Sequence, residues 1–282
     1  MKDAILYLRE QIKYFPIAIN LSKYSTKSTS MQNKFGRIWE ILDPLVQLAI
    51  NYIIFGVLMN RSAPDGLPPL PWMFIGMGVY SFMQHVIVTG AKSVSTQFKT
   101  TAKMKFPVSI MPTASMFGFL TELYIMVGMG LIIAMFSGYY PSMYWLQLLY
   151  YFPMLIIFSL AMSLLCSSIE VVFPDFKFFL NYIFRFLMYG SGVIFSLDHF
   201  KIIPQFLIQS QLINPFYYLI EGFRDIAFGR AWFWEKGMYN VSFILLLVIL
   251  LIIGANMHMK IRDRISDYLT LSQFFRVTNV EF

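Results

Sequence analysis

The best candidate for a nucleotide-binding motif in the sequence lacks the pattern that phosphate binding requires. A phosphate loop is rich in glycine and ends in Gly, Lys and then Ser or Thr, because its backbone N–H groups cradle the phosphates. The nearest string is Gly90-Ala91-Lys92-Ser93, where an alanine separates the glycine from the lysine, and the first glycine of the loop, five residues before Gly90, is replaced by His85. We therefore predict that this chain has no cofactor site for ATP and Mg²⁺, and that Lys92 is a basic residue at a helix end.

Other catalytic chemistry has little support. The three histidines are scattered at positions 85, 199 and 258, so we predict no metal centre. Asp198 and His199 could serve a membrane-bound glycosyl or acyl transferase, but adjacent residues on a helix point in different directions. The transferase is therefore the weaker alternative. Cys166 is the only cysteine, so the chain forms no disulfide of its own.

A cluster of charges occurs near the carboxyl end, in the string NPFYYLIEGFRD that runs from Asn214 to Asp225. Pro215 follows the asparagine directly, and Glu221 lies three residues before Arg224. Residues at this spacing are neighbours on a helix surface. We interpret Glu221, with Arg224 and Asp225 beside it, as part of a local ion pair and not of a catalytic couple.

The composition sets the class of protein that must position these residues. Of 282 residues, 57% are hydrophobic, 18% are aromatic and only 13% are charged, and the mean hydropathy is +0.61. Soluble domains carry about 25% charged residues. The sequence therefore predicts an all-α polytopic membrane protein, and its net charge of +7 is ascribed to membrane orientation and not to nucleic-acid binding.

Hydropathy predicts six transmembrane helices, because each crossing needs about 20 apolar residues. The predicted spans are 41–60, 70–91, 113–136, 146–169, 178–197 and 238–258. Basic residues predict their orientation: of the 22 Lys and Arg residues, seven precede the first span, four lie between spans two and three, one between spans four and five, and four follow the last span. These segments all lie on one side, so we expect both termini in the cytoplasm of a cell with the protein in its plasma membrane.

The amino-terminal segment, 1–37, predicts an amphipathic helix along the cytoplasmic membrane surface. Apolar residues recur at helical spacing and are interrupted by charges. The members of this stripe are Ile5, Leu8, Ile12, Phe15 and Ile19. A short helix packed against the spans, with no wider role, is the alternative.

Two further segments stand out between the predicted spans. The basic stretch from Ser93 to Pro112 is too long for a tight turn, and we predict either a surface helix that contacts a soluble partner or a solvated loop. The apolar stretch from Ile202 to Ile220 is interrupted by Pro204 and Pro215, which leaves pieces too short to cross. This pattern predicts an extracellular re-entrant helical hairpin between the fifth and sixth spans.

Together these features resemble the permease subunits of ABC-2 type polysaccharide exporters. The resemblance rests on the six spans, on the basic loop ending in KFPVSIMP and on NPFYYLIEGFRD, whose Asn214, Pro215, Glu221 and Arg224 mark the re-entrant motif. The stretch from Tyr14 to Arg61 resembles the wall teichoic acid exporters of Gram-positive bacteria, and O-antigen or capsule export is the alternative. The resemblance implies one membrane domain over 1–282: helix 1–37, spans within 41–258 and a tail, 259–282.

The resemblance also implies partners. It indicates a homodimer with two copies of a separate ATPase, which would bind ATP and Mg²⁺, and a lipid-linked anionic polymer as substrate. Membrane lipids surround the spans, and no nucleic acid is expected. The residues expected to couple to the ATPase are Phe98, Lys99, Lys103, Lys105 and Asp175.

A path for a sugar polymer needs aromatic faces and modest hydrogen-bonding groups, since sugar rings present both apolar and polar surfaces. The predicted path residues are Trp39, Tyr52, Phe55, Tyr182, Arg185, Phe186 and Tyr189, with Tyr80, Asn51 and Asn181 as further candidates. Arg185 lies inside the fifth predicted span, where an unpaired charge is costly. We consider three roles for it: an ion pair with Glu122 at similar depth, a contact to polymer phosphates, or a side chain that extends to the cytoplasmic surface.

Overall fold

The computed structural model describes residues 2–32, 38–59, 63–64, 66–101, 108–196, 211 and 213–262. This part of the chain is helical and contains no strand. Its α-helices are α1 Lys2–Gln32, α2 Ile38–Asn51, α3 Pro69–Thr101, α4 Met111–Phe136, α5 Leu148–Val172, α6 Phe176–Gly190, α7 Pro215–Phe228 and α8 Met238–Arg262. A π-helical turn, Tyr52–Leu58, extends α2, and 3₁₀ turns precede α4, α5 and α8.

Four helices are long and apolar enough to cross a membrane, and they confirm four of the six predicted spans. They comprise Pro69–Thr96, Met111–Phe136, Met143–Val172 and Met238–Ile261. The first predicted span corresponds to a shorter apolar helix, Leu42–Leu58. The fifth is also shorter than expected, because α6 ends at Gly190 and the chain turns at Gly192, whose φ of +61° suits glycine. The count of six spans therefore stays a prediction.

Helix α3 lies at the centre of the packing. Every residue from Pro71 to Tyr80 is buried, and α3 contacts α4, α5, α6 and α7. Small residues allow a close approach to α4: a Cβ on Gly78 would lie 2.7 Å from Met126 Cβ, and one on Gly130 would lie 2.7 Å from Ile75 Cγ1. Close backbone approach is how membrane helices gain packing energy without a hydrophobic driving force.

Helix α1 packs against the beginning of α4 by polar and apolar contacts. The Gln11 side chain donates to the Ser109 carbonyl (2.8 Å) and accepts from the Thr113 hydroxyl (2.6 Å), while Ala18 packs on Ile110. The described members of the predicted apolar stripe differ: Ile12 is 78% exposed, whereas Phe15 packs edge-on against Phe117 of α4, with ring centroids 5.4 Å apart. The position of the helix along a membrane surface stays a prediction.

Candidate functional site

A cavity of about 1130 Å³ lies between α1, α2, α3, α4 and α6. It is lined by four of these helices along their predicted membrane segments and by α1 near its carboxyl half. The ionisable side chains in its wall are Lys23, Asp43, His85, Glu122 and Arg185, and the aromatic ones are Trp39, Tyr80, Phe117, Phe119, Phe184 and Tyr189. This mixture of ring faces and polar groups is suited to a ligand with apolar and polar surfaces.

The structure brings some of the predicted path residues into this wall. Trp39, Arg185 and Tyr189 line the cavity, as does Tyr80, whose hydroxyl donates to the Phe184 carbonyl. Phe55 lies behind Tyr189, with ring centroids 6.5 Å apart.

The other predicted path residues lie outside the wall of this cavity. Tyr182 and Phe186 are exposed on another side of α6, so the predicted path residues of that helix do not all face the cavity. Tyr52 is partly buried against the core, and Asn51 contacts the Met77 sulfur at 3.9 Å. Asn181 donates to its own helix, at the Lys177 carbonyl.

Of the three roles considered for Arg185, the ion pair with Glu122 is not formed among the described residues. Glu122 Oε2 instead lies 2.8 Å from His85 Nδ1, so this carboxylate is paired across α3 and α4. Arg185 is exposed to the cavity. The predicted spans place Arg185 and Glu122 at similar depth in the membrane. Depth alone does not determine the direction in which a helix points a side chain. His85, one of three scattered histidines, carried no sequence signal for this role.

Glu221 and Arg224 form the predicted local ion pair, with 2.7 Å between Oε1 and Nη1. Arg224 is fully buried, and its guanidinium also donates to the carbonyls of Trp72 (3.2 Å), Gly192 (2.9 Å) and Val193 (2.8 Å). These bonds join α7 to α3 and to the chain after α6. Burial lowers the pKa of the Arg224 guanidinium to about 10, which leaves it charged at neutral pH.

The ion-pair cluster extends to the turn after α7. Arg230 pairs with Glu221 and with Asp225 (2.9 Å), and Lys236 pairs with Asp225 (2.6 Å). Burial opposes ionisation of Glu221, but the charges of Arg224 and Arg230 outweigh it, so the pKa of Glu221 lies below its ordinary value. These charges stabilise one another, which is a structural and not a catalytic role.

Asn214 and Pro215 begin α7 in the manner expected of a helix start. The Asn214 side chain accepts from the Phe216 N–H (3.0 Å), and proline occupies the first turn, where its missing N–H is not needed. Asn214 Nδ2 also donates to Ser191 Oγ at 2.9 Å, which connects the helix start to the end of α6. The rest of the predicted re-entrant hairpin, including Asp198 and His199, lies outside the described residues.

The predicted coupling residues are only partly described. Phe98 and Lys99 belong to the last turns of α3, without a described side chain, and Lys103 and Lys105 lie outside the described residues. Asp175 is exposed in the turn between α5 and α6, directly after Pro174. Pro174 thus lies where α5 has ended, as expected of a residue that cannot continue a helix, and the coupling role of these residues stays a prediction.

Comparison with known proteins gives a consistent family. The family model described as ABC-2 type transporter matches residues 19–228. The O-antigen export system permease protein RfbA of Klebsiella pneumoniae is 23% identical over 272 residues, which is 90% of this chain and 95% of that protein. RfbA of Myxococcus xanthus is 23% identical over 199 residues (69% and 74%), and the polysialic acid transport protein KpsM of Escherichia coli is 25% identical over 196 residues (68% and 73%).

Proposed function

The chain belongs to the ABC-2 type transporter family, and from that premise we propose that it is the membrane subunit of an exporter that moves a lipid-linked polysaccharide outward. The relatives named for O-antigen export and polysialic acid transport support a polysaccharide substrate. The observation that carries the proposal is the cavity of about 1130 Å³, with stackable aromatic rings and hydrogen-bonding groups among apolar helices.

The wall of this cavity suits a sugar polymer for physical reasons. Its volume exceeds the range of about 300–1,000 Å³ that small-molecule sites occupy. Sugar rings stack on aromatic faces such as those of Trp39 and Tyr189, while their hydroxyls need partners such as Ser81, Gln84 and Thr121. An apolar lipid would not require so many polar groups in the wall.

Transport against a gradient needs an energy source, and we propose that a separate ATPase supplies it. The sequence lacks a phosphate loop, and the basic segment after α3 offers a surface for docking a soluble subunit. In this proposal two copies of the permease assemble with two copies of the ATPase, which bind ATP and Mg²⁺. Phe98, Lys99, Lys103, Lys105 and Asp175 contact the ATPase from the cytoplasmic side.

Within this class we propose wall teichoic acid as the polymer. The similarity of the stretch from Tyr14 to Arg61 to teichoic acid exporters supports this choice, as do the cationic Lys23 and Arg185 in the cavity wall. O-antigen or capsular polysaccharide is the second candidate, and the printed names of the relatives favour it.

Complementation tests both parts of the proposal. Cells that synthesise a lipid-linked polymer but lack their own permease would receive this chain with the ATPase that co-purifies with it. One strain would make wall teichoic acid and another O-antigen, and surface polymer would be measured by antibody or lectin labelling. Display of teichoic acid alone supports the finer proposal, and display of O-antigen alone corrects the polymer. No display in either strain, with the complex assembled, contradicts export.

A further inference from the structure

A histidine and a glutamate form a pair in the middle of the predicted membrane region. His85 lies near the middle of α3 and Glu122 near the middle of α4, with 2.8 Å between Nδ1 and Oε2. Both line the cavity. Ionisable groups at such depth are costly, and they usually mark a substrate or ion pathway.

The two members of the pair differ in exposure. The Glu122 side chain is 6% exposed and that of His85 is 41% exposed. Glu122 Oε1 is buried without a hydrogen-bond partner among the described residues, so His85 is the described group that satisfies this carboxyl. The imidazole also packs on the Phe119 ring at 5.2 Å. Glu122 and Phe119 therefore fix the orientation of an imidazole that still faces the cavity.

Glu122 determines which nitrogen of the imidazole is available to a ligand. Its Oε2 lies 2.8 Å from Nδ1, so Nε2 is the ring nitrogen left for a ligand in the cavity. An imidazole that carries a hydrogen on Nε2 donates it to an acceptor. In contact with an acceptor, His85 Nε2 is therefore a hydrogen-bond donor.

Two other donor groups line the same cavity. Arg185 and Lys23 have side chains that donate hydrogen bonds and accept none. The wall contains two carboxyl groups. That of Glu122 bonds His85, and the second belongs to Asp43. Phosphate oxygens accept hydrogen bonds and carry negative charge, which makes them the best match for such a set.

We propose that His85, oriented by Glu122, is a contact for phosphate groups of the exported molecule, together with Arg185. This inference rests on the proposed export function and adds its substrate chemistry. Phosphate could come from phosphodiesters between the sugar units or from the diphosphate that joins the polymer to its lipid. The shared chemistry is a phosphate ester, and two probes separate the sources.

The test is binding to the full chain, assembled with its ATPase in lipid nanodiscs. The probes are a glycerol phosphodiester hexamer without lipid, farnesyl diphosphate without polymer, and uncharged maltohexaose. His85→Asn places its amide at the position of Nδ1, which keeps the bond to Glu122 and removes the Nε2 donor. His85→Gln restores a donor at the position of Nε2. Thr96→Val removes a hydroxyl from the same helix, outside the cavity wall, and is the matched control.

Wild type should bind at least one phosphate probe, and His85→Asn should weaken that binding about tenfold, the effect of one hydrogen bond to a charged group. His85→Gln should recover most of the affinity, and Thr96→Val should retain it. Loss for the hexamer assigns the contact to the repeat units, and loss for farnesyl diphosphate assigns it to the anchor. Either supports the proposal.

Three results would overturn the phosphate contact: wild type that binds neither phosphate probe, His85→Asn that binds both as wild type does, or His85→Asn that loses maltohexaose binding equally. Surface display of polymer in the complementation strains separates this failure from failure of the export function. Export by wild type and His85→Asn alike, with unchanged probe binding, leaves export standing and removes only the phosphate contact.

Discussion

Arg224 Cζ lies 3.2 Å from the centroid of the Trp72 ring, and both side chains are buried. The guanidinium of α7 is thus held against α3, while its N–H groups donate to the carbonyls of Gly192 and Val193. A planar cation with five donors can satisfy an aromatic face, three carbonyls and Glu221 at once. This arrangement connects α7, α3 and the chain after α6 through one side chain.

We predict that Arg224→Lys destabilises the protein by about 3 kcal/mol, because a lysine cannot reproduce the set of directed bonds and leaves buried carbonyls and Glu221 short of partners. The measurement is thermal unfolding of the full chain in detergent, followed by tryptophan fluorescence. Arg230→Lys is the control, since this arginine is partly exposed, and it should cost less than about 1 kcal/mol. Equal losses in the two variants would contradict the connecting role of Arg224.

A second substitution tests the same contact from α3. A Cβ on Gly76 would lie 2.2 Å from Arg224 Nη2 and 3.1 Å from the Val193 carbonyl oxygen, so Gly76→Ala should displace the guanidinium and cost about 1–3 kcal/mol. Gly128→Ala is the matched control, because no atom lies within 4 Å of its added Cβ. The control should be neutral or stabilising by up to about 1 kcal/mol, as alanine favours helices. The measurement is again thermal unfolding. No change in stability for Gly76→Ala would contradict the close packing of Arg224 against α3.

Part of this structure could be predicted from hydropathy alone. Long helices are present at four of the predicted spans, 70–91, 113–136, 146–169 and 238–258. A continuous apolar run of that length is stable in a membrane as a helix, which satisfies its own backbone hydrogen bonds. The turn after α6 was missed: Gly190 and Gly192 interrupt a run that is apolar enough to continue. Average hydropathy does not register a glycine that adopts φ of +61°.

The candidate site was less predictable than the helices. The residue types of Trp39, Arg185 and Tyr189 predict path residues, and all three lie in one cavity wall. Tyr182 and Phe186 lie on α6, as Arg185 and Tyr189 do, but face elsewhere. The pairing of His85 with Glu122 depends on how α3 and α4 rotate about their axes. The depth of a residue in the membrane can be predicted from the sequence. The rotation of each helix about its own axis is set by tertiary packing, such as the close contact of α3 with α4 at Gly78 and Gly130.

The ion pairs of Glu221 should make the stability of the folded protein depend on pH in the acid range. The pKa of this carboxyl lies below its ordinary value of about 4.5, so the ionised form stabilises the fold above that pH, and the contribution is lost as pH falls through the lower pKa of the folded state. Wild type should therefore lose more stability than Glu221→Gln between pH 6 and the acid limit of about pH 3. Unfolding midpoints against pH for the two proteins are the measurement.

The comparison of wild type with Glu221→Gln measures the ionisation of Glu221 together with its effect on Asp225. Burial raises the pKa of Asp225, which acts in the opposite sense, and the charge of Glu221 adds to that rise, so removing this charge leaves Asp225 with a smaller opposing contribution. At pH 7 Glu221→Gln should be the less stable protein, because Arg224 loses its counter-charge, and the two curves should converge in acid. Parallel curves would mean that Glu221 keeps the same pKa in the folded and unfolded states.

The coupling role of the carboxyl end of α3 and the basic segment that follows it can be tested at one residue. We predict that Phe98→Asp lowers export at least tenfold while the chain still inserts, since a charge replaces an apolar side chain expected to enter the ATPase and is costly there if unpaired. The measurement is co-purification of the ATPase together with surface polymer. Phe98→Leu keeps the apolar character and should retain both. Normal assembly of Phe98→Asp would move the contact elsewhere, with Asp175 as the next candidate.

Arg185 is expected to act in transport and not in folding. It lines the cavity, and Glu122 bonds His85, so removing the Arg185 charge leaves no buried carboxylate unpaired among the described residues. Arg185→Gln should keep wild-type unfolding behaviour and lower surface polymer about tenfold at limiting substrate, because one charge-assisted bond to the polymer is lost. Lys177→Gln is the control, since Lys177 lies on the same helix but outside the cavity wall. If Arg185→Gln folds and exports as wild type does, the side chain only extends toward the cytoplasmic surface and contacts no polymer.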